Sequence, residues 1–301
     1  MKILITGATG FVGLHLARFL LEAGHEIVAT GTSKTHPLSG QPFFEYVSAD
    51  TTQAGPWQDQ AGNAAAVINL TGRTIFHRWT KSYKQQILDS RVLTTRLLVD
   101  ALPKDKATIF LSASAVGYYG DGGDALLQES APAGTDFLAG VSVVWEKEAL
   151  RAAAKKHRVV AMRFGVVLGA NGGALAQMVP AYRRFAGGPL GSGRQWFSWI
   201  HMDDLTAAIA FSLATESLQG PVNFCAPGVV TSRDFAQALG KALHRPAIIK
   251  VPTFALRMAM GEMGSVLLNS QRAVPARLQE AGFTFQYPHI DEALQSLLDK
   301  G

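Results

Sequence analysis

The feature that most constrains the fold is a short apolar strand that runs directly into a turn of evenly spaced glycines. Residues 2–6 read KILIT and residues 7–13 read GATGFVG. Apolar residues at helical spacing follow, and Gly24 suits the end of that helix. Such glycines let the backbone approach a pyrophosphate, while the helix N-terminus offers free N–H groups. An ordinary strand–turn–helix with accidental glycines is disfavoured by the strand context and by a second strand after Gly24.

This segment therefore predicts a dinucleotide site at the start of a parallel α/β sheet. The residues expected to contact the cofactor here are Thr6, Gly7, Gly10, Phe11, Val12 and Gly13.

The end of the second strand indicates which dinucleotide is bound. NAD enzymes usually place Asp or Glu there, about 20 residues past the glycines, to bind the ribose 2′-hydroxyl. This chain has instead Thr30 and Gly31, followed by Thr32, Ser33 and Lys34. Two hydroxyls and an ammonium suit a 2′-phosphate, so we expect the cofactor to be NADP(H). A plain polar surface loop is the alternative.

Strand-like and helical patterns alternate up to about residue 168, which predicts a doubly wound parallel sheet of the α/β class with helices on both faces. The patterns predict helices over residues 87–101 and 143–154. The alternation then gives way to glycine-rich loops at residues 171–173 and 187–193. Capping-type residues at 231–234 predict the start of a further helix. We expect a dinucleotide-binding Rossmann domain in residues 1–168 and 201–228. A smaller substrate-binding lobe is expected in residues 169–200 and 229–301.

Composition excludes several other classes of protein. The single cysteine, Cys225, rules out an intrachain disulfide and a multi-cysteine metal site, and the scattered histidines predict no metal. The basic run at residues 155–158 is interpreted as a solvated helix end, so we expect no nucleic acid. With no 18-residue apolar run and no signal-like start, we expect a cytoplasmic protein without membrane contact. The expected partner is a small-molecule substrate. The oligomeric state stays open, with a homodimer as one option.

Several motifs carry a resemblance to a known family. The TGATGFVG segment at residues 6–13 resembles the extended branch of the short-chain dehydrogenase/reductase superfamily, which includes sugar-nucleotide epimerases and dehydratases. Segments at residues 163–165, 199–204 and 223–228 resemble later motifs of that branch. The segments NLTG, RWT, SR, SASAVGYYG and GSGRQ are similar to those of its atypical epimerase-like subgroup, which has a C-terminal domain of unknown function.

The resemblance implies further cofactor contacts. Asp50 resembles the acid that meets the adenine in this family. Leu70, Thr71 and Gly72 resemble the segment that flanks the cofactor.

The catalytic pattern of the family is incomplete here. Ser114 fits the position, after the fifth strand, of the serine that binds the reacting oxygen. The tyrosine and lysine slots of the next helix fall at Leu138 and Ser142, or at Phe137 and Val141 after a one-residue slip. None of these side chains can supply the Tyr–Lys pair that moves the proton, so we expect a poor UDP-sugar epimerase.

Other residues are candidates for the missing roles. Tyr118 follows Ser114 closely and is our candidate proton donor, although it and Tyr119 could equally only shape the pocket. Arg91, which occupies the family's asparagine slot, Tyr119 and Arg194 are candidate substrate-binding residues, with surface roles as the alternative for the arginines.

The predicted function is that of an NADP(H)-binding, epimerase-like oxidoreductase. Its substrate would be a small carbonyl or hydroxyl compound, or a molecule like a nucleotide sugar. The alternative is a non-catalytic NADP(H)-binding protein with a redox-sensing or regulatory role, which the missing Tyr–Lys pair favours.

Overall fold

The computed structural model describes residues 1–170 and 172–298. The predicted loop at residue 171 and the predicted end of the second lobe at residues 299–301 therefore lie outside the described residues. The strands are β1 Lys2–Thr6, β2 Glu26–Gly31, β3 Phe44–Ser48, β4 Ala66–Asn69, β5 Ile109–Ala115, β6 Leu126–Leu127, β7 Arg158–Phe164, β8 Val166–Leu168, β9 Trp196–Phe197, β10 Trp199–His201, β11 Gly220–Phe224, β12 Val230–Thr231 and β13 Arg272–Ala273. The helices are α1 Phe11–Glu22, α2 Asp59–Asn63, α3 Lys81–Ala101, α4 Phe137–Leu150, α5 Gly173–Arg183, α6 Met202–Ala214, α7 Ser232–Ala242, α8 Thr253–Met260, α9 Glu262–Val266, α10 Ala276–Glu280 and α11 Ile290–Leu298.

A seven-stranded parallel sheet organises the molecule, in the order β3-β2-β1-β4-β5-β7-β11. The strand order reverses direction between β1 and β4, where a crevice opens beyond the carboxyl ends of the strands. The predicted Rossmann-like α/β fold is confirmed. The division of the chain into two lobes stays a prediction.

Both faces of the sheet are buried, as the continuous apolar strands require. On one face Ile3 and Ile5 pack with α1 and α6, and on the other Leu4 packs with residues of α3 and α4. This alternation follows from the two-residue period of a strand. A separate core around Trp199 joins residues of α5, α7 and α11.

Two helices begin earlier than their apolar patterns indicated. Helix α3 begins at Lys81 rather than at residue 87, because the hydroxyl of Thr80 accepts a hydrogen bond from the Tyr83 N–H at 3.1 Å. Helix α4 begins at Phe137 rather than at residue 143, because Asp136 caps the N–H of Ala139 in the same way.

Other local predictions are confirmed. Gly24 has φ +82° just after α1, and α7 begins with a reciprocal capping box between Thr231 and Asp234. The predicted end of the fifth strand was wrong, since β5 runs to Ala115 and Ser114 lies within the strand rather than after it. Over the described residues, none of the helices combines the length and apolar character that a membrane crossing would require.

Candidate functional site

The glycine turn between β1 and α1 has room for backbone only. Gly7 has φ +71°, and a Cβ added there would lie 2.8 Å from the carbonyl carbon of Leu70. A Cβ on Gly13 would lie 2.4 Å from the Gly7 oxygen, while the Gly10 N–H donates to that same oxygen at 3.0 Å. No side chain caps α1 at Gly10, so the first N–H groups of this helix stay available to an anion.

A first cavity of about 600 Å³ lies against this turn. The predicted cofactor residues among those that line it are Gly7, Gly10, Thr32, Asp50, Leu70, Thr71 and Gly72. Within the part of the chain that the structure describes, the Thr71 hydroxyl is buried without a hydrogen-bond partner. A buried hydroxyl of this kind is costly unless a ligand or water completes it, so the wall suits a polar ligand.

The end of β2 is open where an NAD enzyme would carry a carboxylate. Gly31 lines the first cavity, and a Cβ added there would meet the Thr9 hydroxyl at 2.7 Å. Thr32 also lines the cavity, but Ser33 and Lys34 do not. The Ser33 carbonyl accepts a hydrogen bond from Tyr46, and the Lys34 side chain is exposed. Thr32 is therefore the residue of the predicted 2′-phosphate loop that the structure brings to the cavity.

Thr6 is placed differently from the sequence prediction. Its hydroxyl donates to Asn69 Oδ1 at 2.8 Å, and its side chain is fully buried beneath the turn. Asn69 also donates to Thr95 on α3 and accepts from the Thr71 N–H. Thr6 thus supports the cavity wall through Asn69 and does not line either cavity.

A second cavity of about 470 Å³ continues from the first. The two share Leu70, Gly72 and Arg73, so they form one crevice along the carboxyl ends of the strands. Besides Leu70 and Gly72, the predicted cofactor residues that line the second cavity are Phe11 and Val12. Its walls are mainly apolar and include several aromatic rings, and segments 196–198 and 266–271 close one side.

Ser114 lines the second cavity but is already engaged. It is 2% exposed, and its hydroxyl donates to Glu146 Oε1 at 2.6 Å. Glu146 is in turn held by Arg163 through two bonds, Nε to Oε1 and Nη2 to Oε2, both 2.8 Å. Because the Ser114 proton points to this carboxylate, the oxygen can offer only its lone pairs to the cavity.

Tyr118 and Tyr119 lie outside both cavities, contrary to the roles expected for them. A 3₁₀ turn after β5 carries both rings toward Arg163, whose guanidinium lies 3.5 Å from the Tyr118 ring centre. The Tyr119 hydroxyl donates to Asn223 and accepts from Arg163, and burial raises the pKa of Tyr119 to about 12. Neither phenol is placed to donate a proton in the crevice.

The two candidate arginines are separated. Arg91 lines the second cavity, whereas Arg194 is exposed and lines neither cavity. Leu138 and Ser142, which occupy the expected tyrosine and lysine slots, do line the second cavity, as does Val141.

Sequence reasoning missed three residues that shape the crevice. Arg73 lines both cavities, Trp145 lines the second, and Glu146 orients Ser114. Arg73 directly follows the NLTG segment at a strand end, a position that could have drawn attention to it. Glu146 and Trp145 carry no comparable signal, because their role depends on the packing of α4 against β5 and α3.

A glycine turn at the first strand, an uncapped helix start and a long crevice at the switch point define a dinucleotide-binding protein of the Rossmann type. Residues 3–224 match the model of the NAD dependent epimerase/dehydratase family, and residues 251–297 match a domain of unknown function, DUF1731. The chain belongs to the NAD dependent epimerase/dehydratase family.

Individual relatives agree with this assignment. The chain is 40% identical to the chloroplastic "Epimerase family protein SDR39U1 homolog" of Arabidopsis thaliana, over 99% of this chain and 87% of the relative. It resembles the crystal structure of the human epimerase family protein SDR39U1 with NADPH, with TM-score 0.87 and 30% identity over 100% of both chains. The structure of MoeE5 with UDP-glucuronic acid and NAD has TM-score 0.82 and 22% identity, over 99% of this chain and 98% of the other, a likeness of fold alone.

The glycine turn leads to a first prediction. Gly7→Ala should lower the free energy of unfolding by more than about 1–2 kcal/mol, because positive-φ strain adds to the contact with Leu70. It should also weaken NADPH binding by at least about tenfold, a change of about 1.4 kcal/mol. Gly24→Ala is the matched control, since Gly24 has φ +82° with nothing within 4 Å of an added Cβ. Denaturant titration and NADPH fluorescence measure both, and similar loss of NADPH binding in both variants would contradict the prediction.

The buried ion pair leads to a second prediction. Glu146→Gln should lower the free energy of unfolding by about 3–5 kcal/mol, because it leaves the Arg163 charge buried without its counter-charge. Glu148→Gln, two residues along α4, should cost about 1 kcal/mol or less, because Glu148 pairs with half-exposed arginines. Urea denaturation of both variants gives the comparison. Equal losses of unfolding free energy in the two variants would show that the buried Glu146 pair stabilises the fold no more than the surface pairs of Glu148 do.

Proposed function

We propose that this protein is an NADP(H)-dependent oxidoreductase with an epimerase-like crevice, acting on a small molecule that carries a carbonyl or a hydroxyl group. One observation carries the proposal. The cavity beside the glycine turn continues, through Leu70, Gly72 and Arg73, into a second cavity that contains Ser114. A dinucleotide in the first cavity and a second molecule in the second cavity would therefore lie side by side. The proposal includes a small-molecule substrate in a cytoplasmic setting, and no nucleic-acid, membrane or metal partner.

The residues of the first cavity suit the cofactor. The glycine turn and the free N–H groups of α1 would hold the pyrophosphate, with Asp50 toward the adenosine and Thr71 on the wall. The open end of β2 at Gly31 and Thr32 favours a 2′-phosphate, as does the NADPH in the human relative's structure. When bound, NADPH supplies a hydride.

Ser114 is proposed to position the reacting oxygen. With its proton directed to Glu146, its oxygen accepts a hydrogen bond from a substrate hydroxyl more readily than it donates one to a carbonyl. Tyr118 is not available to supply a proton in this arrangement, because its ring is stacked on Arg163 outside the cavity. A proton would then reach the substrate from water, because the Ser114 proton is held by Glu146.

A second candidate is a non-catalytic NADP(H)-binding protein that responds to redox state. The favouring observation is that the described residues lining the second cavity include no Asp, Glu, His, Lys, Tyr or Cys. Their titratable groups are those of Arg73 and Arg91, and arginine stays protonated at neutral pH. General acid–base help, worth about 10² to 10⁴ in rate, is therefore weak at best.

Cofactor choice gives a third prediction. NADPH should bind at least about tenfold more tightly than NADH, about 1.4 kcal/mol, because no carboxylate at the end of β2 opposes the 2′-phosphate. Thr32→Asp should reduce or reverse this preference, whereas Lys34→Ala should alter it less because Lys34 does not line the cavity. Fluorescence titration of both nucleotides measures the ratio. Tighter NADH binding by the wild type would reject NADP(H).

The role of Ser114 gives a fourth prediction, measured as NADPH oxidation over a panel of carbonyl compounds. Ser114→Ala should slow turnover of any active compound by roughly tenfold or more, with NADPH affinity unchanged, because Ser114 lines the second cavity and not the first cavity at the glycine turn. Tyr118→Phe is the control and should keep turnover. Loss of turnover in Tyr118→Phe alone would indicate that Tyr118 is the proton donor after all. Absence of turnover by the wild type, with redox-dependent proteolysis, would favour the non-catalytic candidate.

A further inference from the structure

Arg91 presents an unusual guanidinium to the second cavity. It lies on α3 and lines the cavity beside Gly72, where an added Cβ would lie 3.1 Å from the Arg91 Cζ. Its Nη1 donates to the carbonyl oxygens of Arg73 and Ile87, at 3.1 and 3.0 Å. Its Cζ lies 5.2 Å from the ring centre of Trp145. These contacts fix the plane of the guanidinium.

Arg91 forms no ion pair with a carboxylate of the described residues. Over residues 1–170 and 172–298, both of its side-chain hydrogen bonds are donated by Nη1, which leaves Nε and Nη2 without a protein acceptor. By contrast Lys84, two turns earlier on α3, is paired with Glu262 at 2.7 Å. The described residues lining the second cavity include no carboxylate and one further cation, Arg73. Burial lowers the pKa of Arg91 to about 10, and the group still carries its charge at neutral pH.

The free edge of Arg91 has the shape that binds a carboxylate. Nε and Nη2 together form a fork that pairs side-on with two carboxylate oxygens. The same chain uses this edge elsewhere, since Arg163 binds Glu146 through Nε and Nη2, each at 2.8 Å. Arg91 lines the cavity, and two of its donor atoms bind no described residue, so an anion from outside the chain would complete it.

The rest of the cavity favours an apolar body on that anion. Trp145, Phe164, Trp196 and Phe197 are among its lining residues. Rings of this kind bury apolar and aromatic groups, while a few placed polar groups fix orientation.

We propose that the second cavity binds small organic carboxylates with an apolar or aromatic body, and that Arg91 binds the carboxylate through Nε and Nη2. The inference rests on the proposed function only in taking this cavity as the substrate's place. It adds the substrate class and a specificity-determining residue.

The test uses matched probes on the NADPH-loaded protein, namely 2-naphthoate and its neutral isostere 2-naphthamide, by isothermal titration calorimetry. The wild type should bind naphthoate at least about tenfold more tightly than naphthamide, about 1.4 kcal/mol. Arg91→Gln should abolish this preference, and Arg91→Lys should retain part of it, because lysine keeps the charge without the fork. Arg194→Gln removes an exposed arginine outside both cavities and should keep the full preference.

Several results would overturn the proposal: no naphthoate binding by the wild type, equal binding of both probes, or an unchanged preference in Arg91→Gln. If NADPH affinity falls tenfold in that variant, Arg91 serves a cofactor phosphate and the proposal fails. Should Arg91→Gln not fold, as judged by thermal denaturation, the reduced preference of Arg91→Lys is decisive. A protein that binds naphthoate through Arg91 yet never oxidises NADPH supports this inference and rejects the proposed oxidoreductase, so the two failures are distinct.

Discussion

The buried ion pair between Glu146 and Arg163 is the interaction on which the arrangement of the crevice depends. It joins α4 to β7 and, through the Ser114 hydroxyl, to β5. Two charges this deep cost several kcal/mol each to desolvate, so the pair persists only because both oxygens and both guanidinium nitrogens are matched. The pair affects two residues near the second cavity. The carboxylate takes the Ser114 proton, and the guanidinium holds Tyr118 away from the cavity.

The site departs from the family's usual catalytic pattern at several positions. The expected slots for the proton-transferring pair carry Leu138 and Ser142, or Phe137 and Val141 after a one-residue slip, and none of these side chains can transfer a proton. Leu138, Val141 and Ser142 line the second cavity. The phenols nearest to Ser114 are engaged with Arg163 and Asn223 instead. The crevice retains space for a dinucleotide and a second molecule, while the groups that would move a proton are scarce. Arg91 adds a cation where the family pattern places an amide.

Much of the fold could be predicted because its signals are local. The glycine spacing at residues 7–13 requires a turn that only glycine can occupy, and the structure shows the backbone contacts responsible. Alternating apolar segments predicted the parallel sheet, and Thr231 with Asp234 predicted the start of α7. Helix starts were predicted late at α3 and α4, because the apolar period begins inside each helix whereas the caps lie a turn or more earlier.

The sequence by itself determined the cofactor half of the crevice, since phosphate recognition uses backbone groups whose positions follow from adjacent glycines. It placed Gly7, Gly10, Thr32, Asp50 and residues 70–72 at one cavity. Only the tertiary structure decided the second cavity. Whether Tyr118 or Arg91 faces the cavity depends on which of the two side chains is bound by a residue from a distant strand or helix. Arg163 packs on the Tyr118 ring, whereas within the described residues no carboxylate pairs with Arg91. Such pairing arises between elements far apart in the chain, so no local pattern encodes it.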